Sequence, residues 1–203
     1  MDYPKNINNL IECFKKLPGI GNKTAERLAL ATLNLDDEVN KLFGETIINI
    51  KTKIKRCSKC NNLTEEELCS ICLNKQRNKK MICVVEEVKN INLFEKVGSY
   101  DGLYFVLNKL ISPLNGVNPD DTNINQLIKR INLEKIDEVI LAVRPSIEGQ
   151  TTALYIVKLL EHTNVIVSKI ASGIPIGADM EYIDTLTLEI ALEDRQKISK
   201  LNE

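Results

Sequence analysis

Two Cys-x-x-Cys pairs, Cys57/Cys60 and Cys69/Cys72, lie eight residues apart in the first half of the chain. A Cys-x-x-Cys turn aims two thiolates at one point. Two such turns facing each other build a closed tetrahedral all-sulfur site, which selects zinc or, less often, iron. The eight-residue spacer is shorter than the usual zinc-finger gap, yet it can form the small loop that returns the second pair. Two disulfides, or four ordinary buried thiols, are the alternatives for the same residues. Four protein ligands leave no open position. The expectation is therefore one structural zinc ion per chain, acting as a staple and not as a catalyst.

The 203 residues suffice for one ordinary domain and one or two small modules. An apolar content of 43% supports a folded core, although the chain has no Trp and only 4% aromatic residues. No apolar run approaches the ~20 residues that cross a bilayer. The opening Met-Asp-Tyr-Pro-Lys-Asn lacks the charged-then-apolar pattern of a signal peptide. With cysteines spaced for metal, these features point to a cytoplasmic protein in a reducing compartment, with no membrane partner. Cys13, in a helical pattern, and Cys83, in an apolar strand-like run, are read as core residues. The net charge of −1 hides a split: residues 1–80 carry 15 Lys and Arg against 10 Asp and Glu, and residues 81–203 carry 12 against 18. Only the front half is suited by charge to meet phosphate.

Ile7, Leu10, Ile11, Phe14 and Leu17 form a helical stripe, predicting a helix over residues 6–16. It stops at Pro18-Gly19-Ile20-Gly21, and Asn22 opens a second helix with Ala25, Leu28 and Ala29 on one face. The stretch from Leu17 to Leu28 resembles the helix-hairpin-helix motif of DNA-repair proteins. Gly19 and Gly21 let the backbone turn sharply and approach a phosphate. Backbone N–H groups at the start of the second helix would bind that phosphate, and Lys23 and Arg27, four apart on one helical face, would add charge. Such contacts grip the backbone without reading bases. The plainer alternative is an αα-turn with solvated basic residues. A third helix opens at Asp36-Asp37-Glu38 and carries Val39, Leu42, Phe43, Ile47, Ile50 and Ile54 to the edge of the cysteine module. Lys51, Lys53, Lys55 and Arg56 at its end read as a solvated face, with an extension of the DNA-facing patch as the alternative.

After a polar, basic link over Asn74–Lys80 the texture changes. Short apolar strands at Met81–Glu86, Leu103–Leu107, Glu138–Val143 and Val165–Ile170 alternate with helices over 89–97, 123–131 and 149–161. A Gly/Pro-rich loop at Ser172–Asp179 precedes a last helix over 184–198. This alternation predicts a mainly parallel α/β sheet covered on both faces. In such sheets function gathers at the C-terminal ends of strands. Two ends matter here: Glu86-Glu87, and the run from Leu141 through Arg144, Ser146, Glu148 and Gly149 to Gln150.

That arrangement is similar to the Toprim domain of topoisomerases and primases. The family places a glutamate after its first strand and an Asp-x-Asp pair after a later one, and its topoisomerase form ends in Glu-Gly-Glu. Those carboxylates bind magnesium and support phosphoryl transfer. In this sequence Arg144 and Ser146 stand at the two Asp positions, Glu148 remains, and Gln150 replaces the last acid. Too few carboxylates are left to hold a hard cation. The expectation is a Toprim shape without strand-cleaving chemistry; a Toprim-type nuclease, topoisomerase or primase is the alternative. Tyr100, Tyr104, Tyr155 and Tyr182 are read as packing or surface residues and His162 as a surface residue. The chain has no Ser/His/Asp triad and no P-loop.

Helix-hairpin-helix, four-cysteine module, degenerate Toprim domain and C-terminal tail, in this order, resemble the RecR family of bacterial recombination mediators. Matching stretches include Gly98-Ser99-Tyr100, Leu110–Gly116 and Gly173–Tyr182. Arg144, where the family has Asn, and Gln150, where it has Glu, depart from the pattern and lower its acidity. The resemblance implies a multidomain α/β protein: a DNA-binding hairpin module over residues 1–56, a zinc finger over 57–72, a Toprim domain over 80–175 and a C-terminal segment over 176–203. It implies a non-catalytic factor that assembles as a dimer or tetrameric ring and acts with RecO and RecF to load recombinase on single-stranded DNA. Gly19, Gly21, Lys23 and Arg27 would contact DNA, Cys57, Cys60, Cys69 and Cys72 would hold zinc, and Glu86 and Glu148 would help form a partner-binding face. A zinc-stapled scaffold that binds only protein is the remaining alternative.

Overall fold

The computed structural model describes residues 3–195, and the chain divides after Ile54 into two compact units. The first holds α1 (Lys5–Lys15), α2 (Asn22–Ala31), a 3-10 turn (Thr32–Asn34) and α3 (Asp37–Lys53). Helices α1 and α2 pack on each other, with Ala25 and Ala29 of α2 fully buried. The turn between them passes through Gly19 at φ +80°, a left-handed conformation that a Cβ disfavours. Helix α3 has Asp37 and Glu38 in its first turn and Lys51 and Lys53 in its last, the polarity its dipole favours. Yet α3 buries no side chain: Val39, Leu42, Phe43, Ile47 and Ile50 are 45–65% exposed. Cys13 is also exposed, contrary to the sequence reading. At 100° per residue it lies well to one side of the Ile7–Ile11–Phe14 stripe, so membership of a helical pattern did not place it on the packed face.

The second unit begins with a two-residue hairpin, β1 (Lys55–Arg56) antiparallel to β2 (Leu63–Thr64), followed by the single turn α4 (Ser70–Leu73). Then come β3 (Met81–Val85), α5 (Val88–Val97), β4 (Leu103–Val106), α6 (Ile124–Glu134), β5 (Glu138–Ala142), α7 (Ile147–Leu160), β6 (Ile166–Lys169) and α8 (Thr185–Glu193). The sheet runs β4-β3-β5-β6, and every pairing is parallel.

Strands β3 and β4 are apolar without alternation because both faces of the sheet are covered there. On one face Ile82, Val84, Phe105, Val139 and Leu141 pack with Ile124, Leu127 and Ile131 of α6 and Ile156 and Leu160 of α7. On the other, Cys83, Val85, Tyr104 and Val106 pack with Ile91 and Phe94 of α5. Each such fully buried side chain contributes roughly 1.5–3 kcal/mol of transfer free energy. Tyr100 and Tyr104 belong to this second layer, Tyr182 and His162 are exposed, and Cys83 is buried, all as expected.

The basic link over 74–80 is more firmly held than its composition suggests. Arg77 forms a two-pronged ion pair with Glu95 at 2.9 and 2.8 Å, donates to the Gly102 carbonyl and lies over the Tyr104 ring. Helix α8 is capped by Asp184, whose carboxylate accepts from the Thr187 amide at 3.0 Å. It ends at Glu193; the last residues of the predicted helix, 196–198, lie outside the described residues. Among the described residues, no helix is long and apolar enough to cross a membrane.

Candidate functional site

The cysteine module is built from two turns. Cys57 to Asn61 form a tight knuckle: the Asn61 amide donates to the Cys57 carbonyl at 3.0 Å, and Asn61 adopts a left-handed φ of 60°. Cys69 then sits at the start of α4, which carries Cys72 back toward the knuckle. The four sulfurs lie within 4.8 Å of one another, with Cys60 and Cys69 Sγ 3.5 Å apart. A tetrahedral zinc site with bonds near 2.3 Å has sulfurs about 3.8 Å apart, so the set fits one zinc ion. None of the cysteines is joined in a disulfide. The Cys69 backbone N–H donates to Cys57 Sγ at 3.3 Å. The crowded thiols also perturb one another. Hydrogen bonding with Cys60 pulls the Cys69 thiol down, and the same contact pushes Cys60 up. Four thiolates so close repel strongly, and a bound dication reverses that balance.

The module is bolted to the free edge of the sheet. The Val106 amide of β4 donates to the Cys60 carbonyl at 2.9 Å. The Asn61 side-chain amide reaches the Val106 carbonyl and Gln126 Oε1, and Gln126 Nε2 reaches the Ser58 carbonyl at 3.1 Å. Arg130 on α6 donates through Nη1 to the carbonyls of Lys59 and Tyr104. Lys59 completes the seat with an ion pair to Glu134 at 2.8 Å. These bonds satisfy an edge strand that would otherwise invite pairing with another chain. Neither Arg130 nor Gln126 was singled out from sequence. Arg130 had a signal: it falls three residues after Leu127 and beside Ile131, on a helix stripe that is otherwise apolar.

The hairpin offers a different chemistry. No side chain caps the first turn of α2, so its leading amides keep their donor capacity. Lys23 and Arg27 are exposed and have no ion-pair partner among the described residues. They line a cavity of about 440 Å³ with Glu26, Leu30, Ala31 and Asn34. Glu26 accepts from the Tyr3 hydroxyl at 2.5 Å. Gly21 differs from the sequence reading: its φ of −86° suits any residue, and a Cβ there would meet nothing within 4 Å. Only Gly19 is required by the turn.

At the C-terminal end of the sheet, Glu86 follows β3 and the Arg144–Gln150 run follows the neighbouring β5. Arg144 Nη2 pairs directly with Glu86 Oε1. Ser146 caps α7: its Oγ accepts from the Gly149 amide at 3.2 Å and donates to Glu148 Oε2 at 2.8 Å. Its own backbone N–H, the Ser146 hydroxyl and the Arg144 charge hold the Glu148 carboxyl below its usual range. Gly149 is required by close approach, since a Cβ would lie 1.9 Å from the Arg144 carbonyl oxygen. Among the described residues the four cysteines are the one cluster of three or more metal-ligating side chains, so no carboxylate trio gathers here. A guanidinium occupies the carboxylate where a Toprim metal site would need an open one.

Family models match the chain in four consecutive stretches. The RecR helix-hairpin-helix matches residues 7–50, and the RecR four-cysteine zinc finger domain matches 54–74. A Toprim domain matches 80–171, and the RecR C-terminal region matches 173–196. The order, the spacing and the tetrathiolate geometry agree with one another, and the chain belongs to the RecR family, whose domains carry a mediator role in recombination and DNA repair.

Proposed function

We propose that the chain is a non-catalytic DNA-binding mediator that works with RecO and RecF to help load recombinase at single-stranded gaps. The observation that carries this reading is the hairpin: an uncapped helix start, a left-handed Gly19 and two exposed cations, Lys23 and Arg27, with no ion-pair partner among the described residues. Gly21 supports it from another side. Among the described residues nothing excludes a side chain there, and its absence leaves room for a phosphate against the backbone. Contacts of this kind are indifferent to base sequence.

Residues 1–56 are assigned to DNA, 57–72 to the zinc finger, 80–175 to the Toprim domain and 176–203 to the C-terminal segment. The Glu86–Arg144 pair argues against metal-dependent cleavage, and the family resemblance assigns Glu86 and Glu148 to a partner-binding face. A dimer or ring is supported by apolar surface: besides α3, Ile176, Met180, Tyr182, Leu186 and Leu192 are more than half exposed. Multiple copies would also multiply weak hairpin contacts through effective concentration. The setting is the cytoplasm of a bacterium, at the nucleoid when acting.

The test is salt-dependent DNA binding by wild type and Lys23→Glu/Arg27→Glu, with zinc content and oligomer mass measured on the same samples. Loss of two phosphate contacts should flatten the log–log salt slope by about 1.4 on single strands and about 1.8 on duplex per hairpin. Unchanged affinity and slope, with zinc and mass intact, would remove the hairpin from the mechanism and favour a protein-only adaptor.

A further inference from the structure

Helix α6 carries one charged side chain into the protein. Arg130 is 6% exposed, and most of its donors are accounted for. Nε donates to Glu134 Oε2 at 3.0 Å, and Nη1 donates to the Tyr104 carbonyl at 2.9 Å and the Lys59 carbonyl at 3.2 Å. Nη2 is buried and has no hydrogen-bond partner among the described residues. A buried guanidinium nitrogen without an acceptor is costly, so its environment should contain one.

Arg130 lines a cavity of about 180 Å³ with Lys59, Cys72, Lys79, Leu103 and Glu134. Lys59 and Lys79 are cations, and the Leu103 side chain accepts nothing. Both oxygens of Glu134 are committed, Oε1 to Lys59 and Oε2 to Arg130 Nε. The remaining side-chain acceptor on this wall is the sulfur of Cys72. Four thiolates around a dication carry two net negative charges, and outer-shell donors commonly offset such charge and orient the ligands.

We infer that Arg130 is the charge partner of the zinc tetrathiolate, its Nη2 serving the Cys72 sulfur, so that metal occupancy and the seating of the cysteine module on the sheet edge are coupled through one side chain. One guanidinium thus ties the module backbone at Lys59 to the edge strand at Tyr104 and lines the same cavity as Cys72. The inference rests on the zinc assignment.

The test is zinc affinity by competition with a chromogenic chelator, using the full-length chain. Zinc content of wild type is read first; a wild type without zinc overturns the metal assignment and this proposal with it. Arg130→Met should bind zinc about ten- to a hundredfold more weakly, and Arg130→Lys, which keeps the charge, should recover part of the loss. Gln126→Ala removes another tie of the module to α6 without removing charge, and should stay within about threefold of wild type, well short of the outer-shell effect. Equal losses in Gln126→Ala and Arg130→Met, or an Arg130→Met affinity matching wild type, would overturn the assignment. If Arg130→Met does not fold, wild type reloaded with cadmium-113 decides: scalar coupling between the metal and Arg130 guanidinium protons supports the contact, and its absence overturns it.

Discussion

Replacing Gly149 by Ala sets local and tertiary physics against each other. Gly149 lies in the first turn of α7, where Ala is the better helix former by about 1 kcal/mol. Helix propensity alone therefore predicts stabilisation. The tertiary structure predicts the reverse, because the new Cβ would sit 1.9 Å from the Arg144 carbonyl oxygen. Ordinary carbon–oxygen contact begins near 3.3 Å, so two backbone segments must part by more than about 1 Å. That movement loosens the Ser146 N–H bond to the Arg144 carbonyl, now 2.9 Å, and the Ser146 cap on the residue-149 amide, now 3.2 Å. The hydrogen bond and the cap are each worth about 1 kcal/mol, and residual backbone distortion adds about 1–2 kcal/mol. Less the propensity gain, the net expectation is a loss of about 2–3 kcal/mol. Urea unfolding followed by far-UV circular dichroism measures it, with fluorescence of the packed Tyr100 and Tyr104 as a second probe in this tryptophan-free chain. A midpoint equal to or above wild type would refute the argument and show that the β5–α7 turn yields without cost.

Other outcomes follow from the same geometry. Hydrogen bonding to Arg77 holds the Glu95 carboxyl below its usual 4.5. Its stabilising share is full above the unfolded value and is lost as pH falls through the lower folded one. Glu95→Gln should therefore be less stable than wild type at neutral pH, and the gap should close below about pH 4.5, read from unfolding midpoints across pH. Magnesium should neither shift the NMR resonances around Glu86 and Glu148 nor support DNA cleavage, whereas Arg144→Asp/Ser146→Asp should gain divalent-ion binding. Robust magnesium-dependent cleavage by wild type would overturn the non-catalytic reading.

Much of the fold was legible in the sequence because its signals are local. The apolar runs at 81–86, 103–107, 138–143 and 165–170 became β3 to β6, each within a residue or so of expectation. Gly19 announced the hairpin turn, since only a residue without a side chain takes φ +80° easily. The two Cys-x-x-Cys pairs announced the tetrathiolate, because knuckle geometry is set within a few bonds. Resemblance to the Toprim pattern exposed the missing acids, with Arg144 and Ser146 standing where its aspartates would be.

What the sequence determined by itself, then, were the elements and the zinc ligands, consequences of short-range chain geometry; the loss of the carboxylates was legible only against the Toprim pattern. Tertiary structure decided the rest. It placed Cys13 outside the packed stripe, showed that Gly21 is not a requirement of the turn, and pinned the basic link through Arg77. It paired Glu86 with Arg144 across adjacent strands, and it buried Arg130 beside the cysteines, linking residues more than fifty positions apart. Such pairings depend on strand order and on which helix face meets the sheet. Those are properties of the assembled layers, and no local stretch of residues encodes them.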